Sequence, residues 1–280
     1  MAYVKLKNLF EEQSLLNDIN GILNWDMATY MPQNSRNQRV RQIQKILDYK
    51  KSIFEQIKKN ELFQKINDSS LSPEDKLNLN LMKDKFEYFD IVPYEYIKKK
   101  TSLAILCEGE WRKAKLKSNF NLVKKSFKKL VDVIKIESEI LSQKKDKTKY
   151  DCLLSKYDRS LNSSRITKIF SRIESFLKKN IPSILEKQRS YNSISFTENL
   201  SESEQFKLSK DFMKKLGFDF SRGRIDKSSH PFCGGSSEDI RITTRYNDAD
   251  SFSCFDALMH ETGHAIYEPV SYTHLRAHET

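Results

Sequence analysis

The 280-residue chain contains no run of about 18 apolar residues, which excludes a membrane-spanning helix. Its first residues, Met1-Ala2-Tyr3-Val4-Lys5-Leu6-Lys7, lack the apolar core and small-residue cleavage site of a secretory signal. The four cysteines (Cys107, Cys152, Cys233, Cys254) form no CxxC pair and read as buried free thiols of a cytoplasmic protein. There is no internal repeat, no low-complexity linker and no clear domain boundary. No basic-aromatic RNA-binding signature accompanies the formal net charge of +11. The excess is mostly lysine spread over many segments. Runs such as Lys98-Lys99-Lys100 read as solvated helix ends, where cations complement the helix dipole. Neither nucleic acid nor membrane is an expected partner.

What is present is helical periodicity over a length sufficient for one large domain or two small ones. Apolar residues recur at helical spacing from Val4 to Leu23, and again from Ser35 to about Lys59. Ser72-Pro73-Glu74-Asp75 combines a cap, a first-turn proline and two acids at the positive helix end. Further helices are expected from Pro93, from Leu122 to about Gln143, over Tyr150 to Tyr157, and after a cap at Ser163 or Ser164. Pro182 is expected to kink the last of these. A helix from Glu202 stops at Gly217. Beyond it the texture changes. Asp239 to Tyr246 reads as a strand with Ile240 and Ile242 facing the core and Arg241, Thr243 and Arg245 opposite. Asp248 or Asp250 then caps a final helix.

That helix carries His260-Glu261-Thr262-Gly263-His264. Histidines four residues apart share a helix face, so both rings reach one metal ion, and the adjoining glutamate sits where a general base is needed. Gly263 costs roughly 1 kcal/mol relative to alanine within a helix, which suggests close approach of another backbone or a substrate. A surface helix with accidental histidines satisfies the bare pattern equally well.

The neighbours of the motif are more specific. His260 to Glu268 resembles the active-site helix of the carboxypeptidase Taq family of metallocarboxypeptidases. His230-Pro231-Phe232 and Asp239-Ile240-Arg241-Ile242-Thr243, the family's D-x-R-x-T element, resemble two further motifs. Leu23-Asn24-Trp25-Asp26 with Met31-Pro32 resembles its N-terminal signature. The resemblance implies a mainly α, zincin-like fold with a small antiparallel β element before the HExxH helix. It implies a cytoplasmic, usually homodimeric enzyme that acts on peptides with a free C-terminus. One zinc ion, replaceable by cobalt, is implied, with His260 and His264 as ligands and Glu261 as base. His230 and Arg241 are expected substrate contacts. For Arg241, pairing with Asp239 or a helix carboxylate weighs equally; for His230, the alternative is a turn histidine bonded to backbone. Trp25 is expected in the core, Asp26 in a cap or ion pair, and Asp256 either orients His260 or faces solvent.

The family's third ligand, a glutamate on a following helix, has no counterpart here. Glu268 is a poor substitute, because eight helical residues place its Cα about 12 Å along the axis from His260. Convergence on one ion about 2 Å from each ligand is difficult over that distance. Residues 269–280, including His274, His278 and Glu279, look like a translated sequencing adapter, leaving 1–268 as the N-terminal part of one catalytic domain. The expectation is a truncated chain with weak metal binding, little activity and exposed apolar surface. Two other functions satisfy the motif: a zinc endopeptidase, and a non-catalytic helical binding module with a relic motif.

Overall fold

Helix α1 (Ala2–Ala28) and helix α2 (Arg36–Lys59) pack side by side: α2 turns an apolar stripe inward, and α1 meets it with Leu6, Leu9 and the buried Gln13, whose amide donates to the Lys50 carbonyl at 2.6 Å. The computed structural model describes residues 2–191, 200–247 and 250–272, with side chains as far as Tyr267. Leu6 and Leu9 of α1 meet Ile53, Phe54 and Ile57 of α2, together with Leu79 and Met82 of α3 (Pro73–Ile91). Each fully buried side chain of this size contributes about 1.5–3 kcal/mol. The start of α3 is built as its sequence specifies: Ser72 Oγ accepts the Asp75 N–H at 3.1 Å, and Pro73 occupies the first turn. Helix α4 (Tyr94–Leu116) lies against α2, where the Arg36 guanidinium donates to the Ile105 carbonyl at 2.9 Å and to Glu108 at 2.7 Å.

The chain forms two compact units, although its sequence texture marks no boundary. One comprises Met1–Leu130 and Asn199–Thr280, the other Val131–Glu198; α5 (Asn121–Lys145) begins in the first and ends in the second. The second unit holds the end of α5, the short α6 (Lys149–Leu154) and α7 (Ser163–Arg189). Glu137 is buried there in an ion pair with Lys156, and the Asp151 carboxylate accepts the Ser163 N–H at 2.7 Å. Asn162 caps α7 in place of Ser163 or Ser164, accepting the Arg165 N–H at 2.9 Å. The helix continues through Pro182 to Arg189.

In the first unit, α8 (Glu202–Lys215) opens with a reciprocal capping box between Ser201 and Glu204 and ends before Gly217, whose φ is +96°. A three-stranded sheet follows, in the order β1-β3-β2. Strand β2 (Phe232–Ser236) and strand β3 (Asp239–Thr244) form the expected antiparallel pair. Strand β1 (Gly223–Lys227), in the stretch of changed texture after Gly217 where no strand was expected, runs parallel to β3, so the sheet is mixed rather than antiparallel throughout. Gly235 (φ +93°) allows the tight β2–β3 turn: a Cβ there would lie 2.1 Å from the Asp239 carbonyl oxygen. Helix α9 (Ser251–Tyr272) closes the described part, with Asp250, of the two candidates, accepting the Ser253 N–H at 3.0 Å. Asp248 lies outside the described residues, as do His274, His278 and Glu279. Among the described residues no helix is long and apolar enough to cross a membrane. The cysteines are free; Cys107, Cys152 and Cys254 are buried as expected, whereas Cys233 on β2 is only half-buried.

Candidate metal centre

At 100° per residue, Cys254, Leu258, Thr262 and Ala265 fall along one side of α9. These four are the buried ones, and Leu258, Thr262 and Ala265 have no exposed surface. Leu258 and Ala265 pack on Ile240 and Ile242 of β3 with Met213 of α8, and Cys254 Sγ lies 3.7 Å from Thr244 Oγ1. Thr262 belongs to this buried side because its hydroxyl donates to the Leu258 carbonyl at 2.7 Å, which removes the cost of burying it. The side nearly opposite carries Asp256, His260, Gly263, His264 and Tyr267, all exposed. Glu261 lies between the two and is half-buried. Packing of one apolar stripe on the sheet thus fixes which way the histidines face.

The two rings approach closely. His260 Nε2 and His264 Nε2 are 3.2 Å apart, with the rings at 81° to each other. Two nitrogens about 2.0–2.1 Å from one tetrahedral ion are about 3.3 Å apart. The pair therefore fits two ligand positions of one metal ion without rearrangement. Among the described residues no group of three or more histidine, cysteine, aspartate or glutamate side chains surrounds a common metal position, so a third protein ligand is not supplied there. Gly263 has nothing within 4 Å of the position of a Cβ, so the close neighbour its presence suggested is not among the described residues. Asp256 takes the solvent-facing alternative.

The D-x-R-x-T element lies on the other face of the same strand. Alternation along β3 turns Ile240 and Ile242 towards α9 and Asp239, Arg241 and Thr243 away from it. Arg241 is gripped by Asp239 in a two-pronged pair, Nε–Oδ1 2.6 Å and Nη2–Oδ2 2.7 Å, and its guanidinium stacks 4.4 Å from the centre of the Trp25 ring. Of the two partners expected for Arg241, Asp239 is the one it meets. Thr243 ties down the turn before β2: its hydroxyl accepts the Phe232 N–H at 3.1 Å and the Ser228 hydroxyl at 2.8 Å. The Ser228 and Thr243 hydroxyls both lie within bonding reach of the His230 carbonyl oxygen, at 2.6 and 3.3 Å. The His230 backbone is thus held while its imidazole is exposed.

Sequence reasoning passed over a matching group on β1. Arg224-Ile225-Asp226 is Asp239-Ile240-Arg241 in reverse, and the parallel register sets Arg224 beside Arg241. Arg224 forks onto Asp226 at 2.8 and 2.6 Å and stacks 5.2 Å from Trp25 and 5.9 Å from Tyr30. Two adjacent guanidiniums are tolerated because each has its own carboxylate and both share an aromatic face. Asp226 is buried, which pushes its carboxyl up, but the hydrogen bonds from Arg224 and Tyr30 and the Arg224 charge outweigh this and hold it below the usual carboxylate range. Arg39 bonds Asp26 and the Leu23 carbonyl, and Arg112 donates to the Ala28 carbonyl at 3.1 Å and to Ser229 Oγ at 3.3 Å. The C-terminal turn of α1, the negative end of its dipole, is therefore ringed by guanidiniums and joined through them to the sheet. Asp26 is an ion-pair partner and Trp25 a buried one, as expected. The signal for Arg224 and Asp226 was present in the R-x-D alternation.

A helical fold with a helix-borne histidine pair and adjacent glutamate defines the HExxH class of metal sites. The chain belongs to the carboxypeptidase Taq (M32) metallopeptidase family, whose model matches residues 5–279. Carboxypeptidase 1 of Bacillus subtilis is 26% identical over 250 residues, covering 88% of this chain and 50% of that protein. Thermostable carboxypeptidase 1 of Pyrococcus furiosus is 30% identical over 179 residues, covering 63% and 36%. The solved structure of Trypanosoma cruzi metallocarboxypeptidase 1 superposes with a TM-score of 0.81 at 27% identity, covering 95% of this chain and 54% of that one. The chain thus spans about half the length of these relatives, or less.

Proposed function

We propose that this chain carries the catalytic helix of a metallocarboxypeptidase that releases C-terminal residues from peptides with a free C-terminus. The observation that supports this most is the 3.2 Å separation of His260 Nε2 and His264 Nε2 on the exposed side of a helix anchored by its other side. His260 and His264 would hold a divalent metal, zinc or cobalt, as neutral imidazoles. When bound, the metal supplies Lewis-acid polarisation of the scissile carbonyl and of a water molecule. Glu261 takes the proton of the attacking water and returns it to the leaving amine. His230 would meet substrate, a reading supported by its exposed imidazole on a turn held by Ser228 and Thr243; Arg241, paired with Asp239, would support the same groove wall. A glutamate from further polypeptide completes the ligand set. In this reading residues 269–280 are adapter-derived, 1–268 is the first part of one catalytic domain, and the whole enzyme is a cytoplasmic homodimer. Alone, the chain binds metal weakly and turns over little.

The test is to join the chain to the downstream coding sequence of its locus and assay matched peptides with free and amidated C-termini. Cleavage confined to the free C-terminus, abolished by Glu261→Gln, is the expected result. Equal cleavage of both peptides is the result of an endopeptidase and would overturn the carboxypeptidase reading.

A further inference from the structure

Helix α7 differs from every other long helix of the chain. It buries no residue, although apolar side chains follow one another along a single face, from Ile169 and Phe170 through Phe176 and Leu177 to Ile184 and Leu185. These are 39–65% exposed. From Ile169 to Leu185 the stripe runs roughly 24 Å at the helical rise. An amphipathic helix of this length owes most of its stability to packing of its apolar face, and a contiguous exposed patch of this kind marks an interaction surface. The remaining surface of α7 carries seven basic side chains against two acidic ones, Glu174 and Glu186.

We infer that this face is the docking surface for polypeptide equivalent to the half of the relatives' length that this chain does not span. The partner it fits is an amphipathic helix with an apolar face and acidic margins. Two observations carry the choice. The Trypanosoma cruzi structure superposes on 95% of this chain, leaving a remainder shorter than α7, so at least part of α7 belongs to the shared architecture. That relative has almost as much chain again with which to cover it. A second copy of α7 is the poorer fit, because face-to-face pairing would bring two strongly basic margins together. The inference does not rest on the proposed activity, since it concerns packing and not the histidine pair.

The test uses an added-cysteine probe and a charged variant. Phe176→Cys is introduced into this chain and into a fusion in which the second half of Bacillus subtilis carboxypeptidase 1 continues it after Tyr267; maleimide labelling is compared, with the labelling of each unsubstituted protein subtracted as its own baseline. Labelling at this position is expected to be fast in the chain alone and at least tenfold slower in the fusion, by a factor that does not change on dilution. Equal rates would overturn the inference. In parallel, the doubly substituted Phe170→Glu, Phe176→Glu chain is compared with the unsubstituted chain by sedimentation and apolar-dye binding. Lower dye binding with unchanged helix content and unchanged mass is expected. A dimer that the two charges split into monomers would assign the face to a second copy and overturn the inference, as would unchanged dye binding. These measurements on the unfused chain stand even if the fusion does not fold.

Discussion

Leu258, Thr262 and Ala265 line the side of α9 that meets the sheet, while His260, Gly263, His264 and Tyr267 line a side left exposed. The first side is complete within this chain: apolar contacts are closed, the one buried hydroxyl is bonded, and β3 lies directly beneath. The second side has two well-placed nitrogens, a glycine with open space around it and no third ligand among the described residues. The contrast separates what positions a metal centre from what completes it. What orients the histidine pair lies among the described residues, whereas a third metal-binding side chain beside it does not.

The contrast can be broken most forcefully from its packed side. Leu258→Ala should lower unfolding free energy by about 2–5 kcal/mol, measured by denaturant titration, whereas Tyr267→Ala on the exposed side should change it by less than about 0.5 kcal/mol. Similar losses for the two would mean that α9 has no distinct packed side.

The guanidinium clasp at Trp25 is next in size. Asp226→Ala leaves the Tyr30 hydroxyl and Arg224 without their acceptor and should cost about 1–3 kcal/mol. The same carboxyl sets a pH dependence. Its folded-state pKa is depressed, so its contribution is present above the unfolded value of about 3.9 and is lost as pH falls below that towards the folded value. The stability difference between the parent chain and Asp226→Ala should therefore narrow on acidification below about pH 4. A difference constant from pH 6 to pH 2 would remove the carboxylate from the clasp.

A smaller effect of opposite sign is expected at Lys50, far from α9 in sequence. Burial, with a lesser push from the Lys85 charge, lowers its amine to about 8, and the amine donates to Asn17 Oδ1 at 2.6 Å. A lysine depressed in the folded state destabilises fold most below that value, and the penalty fades as pH rises from there to the unfolded value of about 10.4. Lys50→Met should stabilise the chain by about 1–2 kcal/mol at pH 7, with the gain shrinking by pH 10. A destabilised variant at pH 7 would mean that the ammonium is well solvated.

Much of this architecture was legible beforehand because its determinants are local. Ser72-Pro73 starts α3, Gly217 follows the end of α8, and the i, i+4 spacing of His260 and His264 sets their shared side. The strand was read over Asp239 to Tyr246 with Ile240 and Ile242 facing the core, as they do; it ends at Thr244, and Thr243, read on the opposite face, is fully buried by its bonds to Ser228 and Phe232. What escaped depends on partners distant in sequence. Strand β1 is held by pairing with β3, and nothing local in Gly223–Lys227 announces a parallel neighbour. Asn162 outcompetes Ser163 and Ser164 as a cap because Asp151, eleven residues earlier in the count to Asn162, accepts the Ser163 N–H and sets where the helix begins. Gly263 suggested a near neighbour, yet no neighbour among the described residues fills that space.

The central claim is that His260 and His264 form two-thirds of a metal centre, held ready by the packing of α9. Its most direct test is titration of the purified chain with cobalt, read by absorbance, with zinc in competition, alongside His264→Ala. The account predicts one weak site that His264→Ala abolishes while leaving stability within about 0.5 kcal/mol of the parent. Tight stoichiometric zinc binding, or binding that survives His264→Ala, would contradict it.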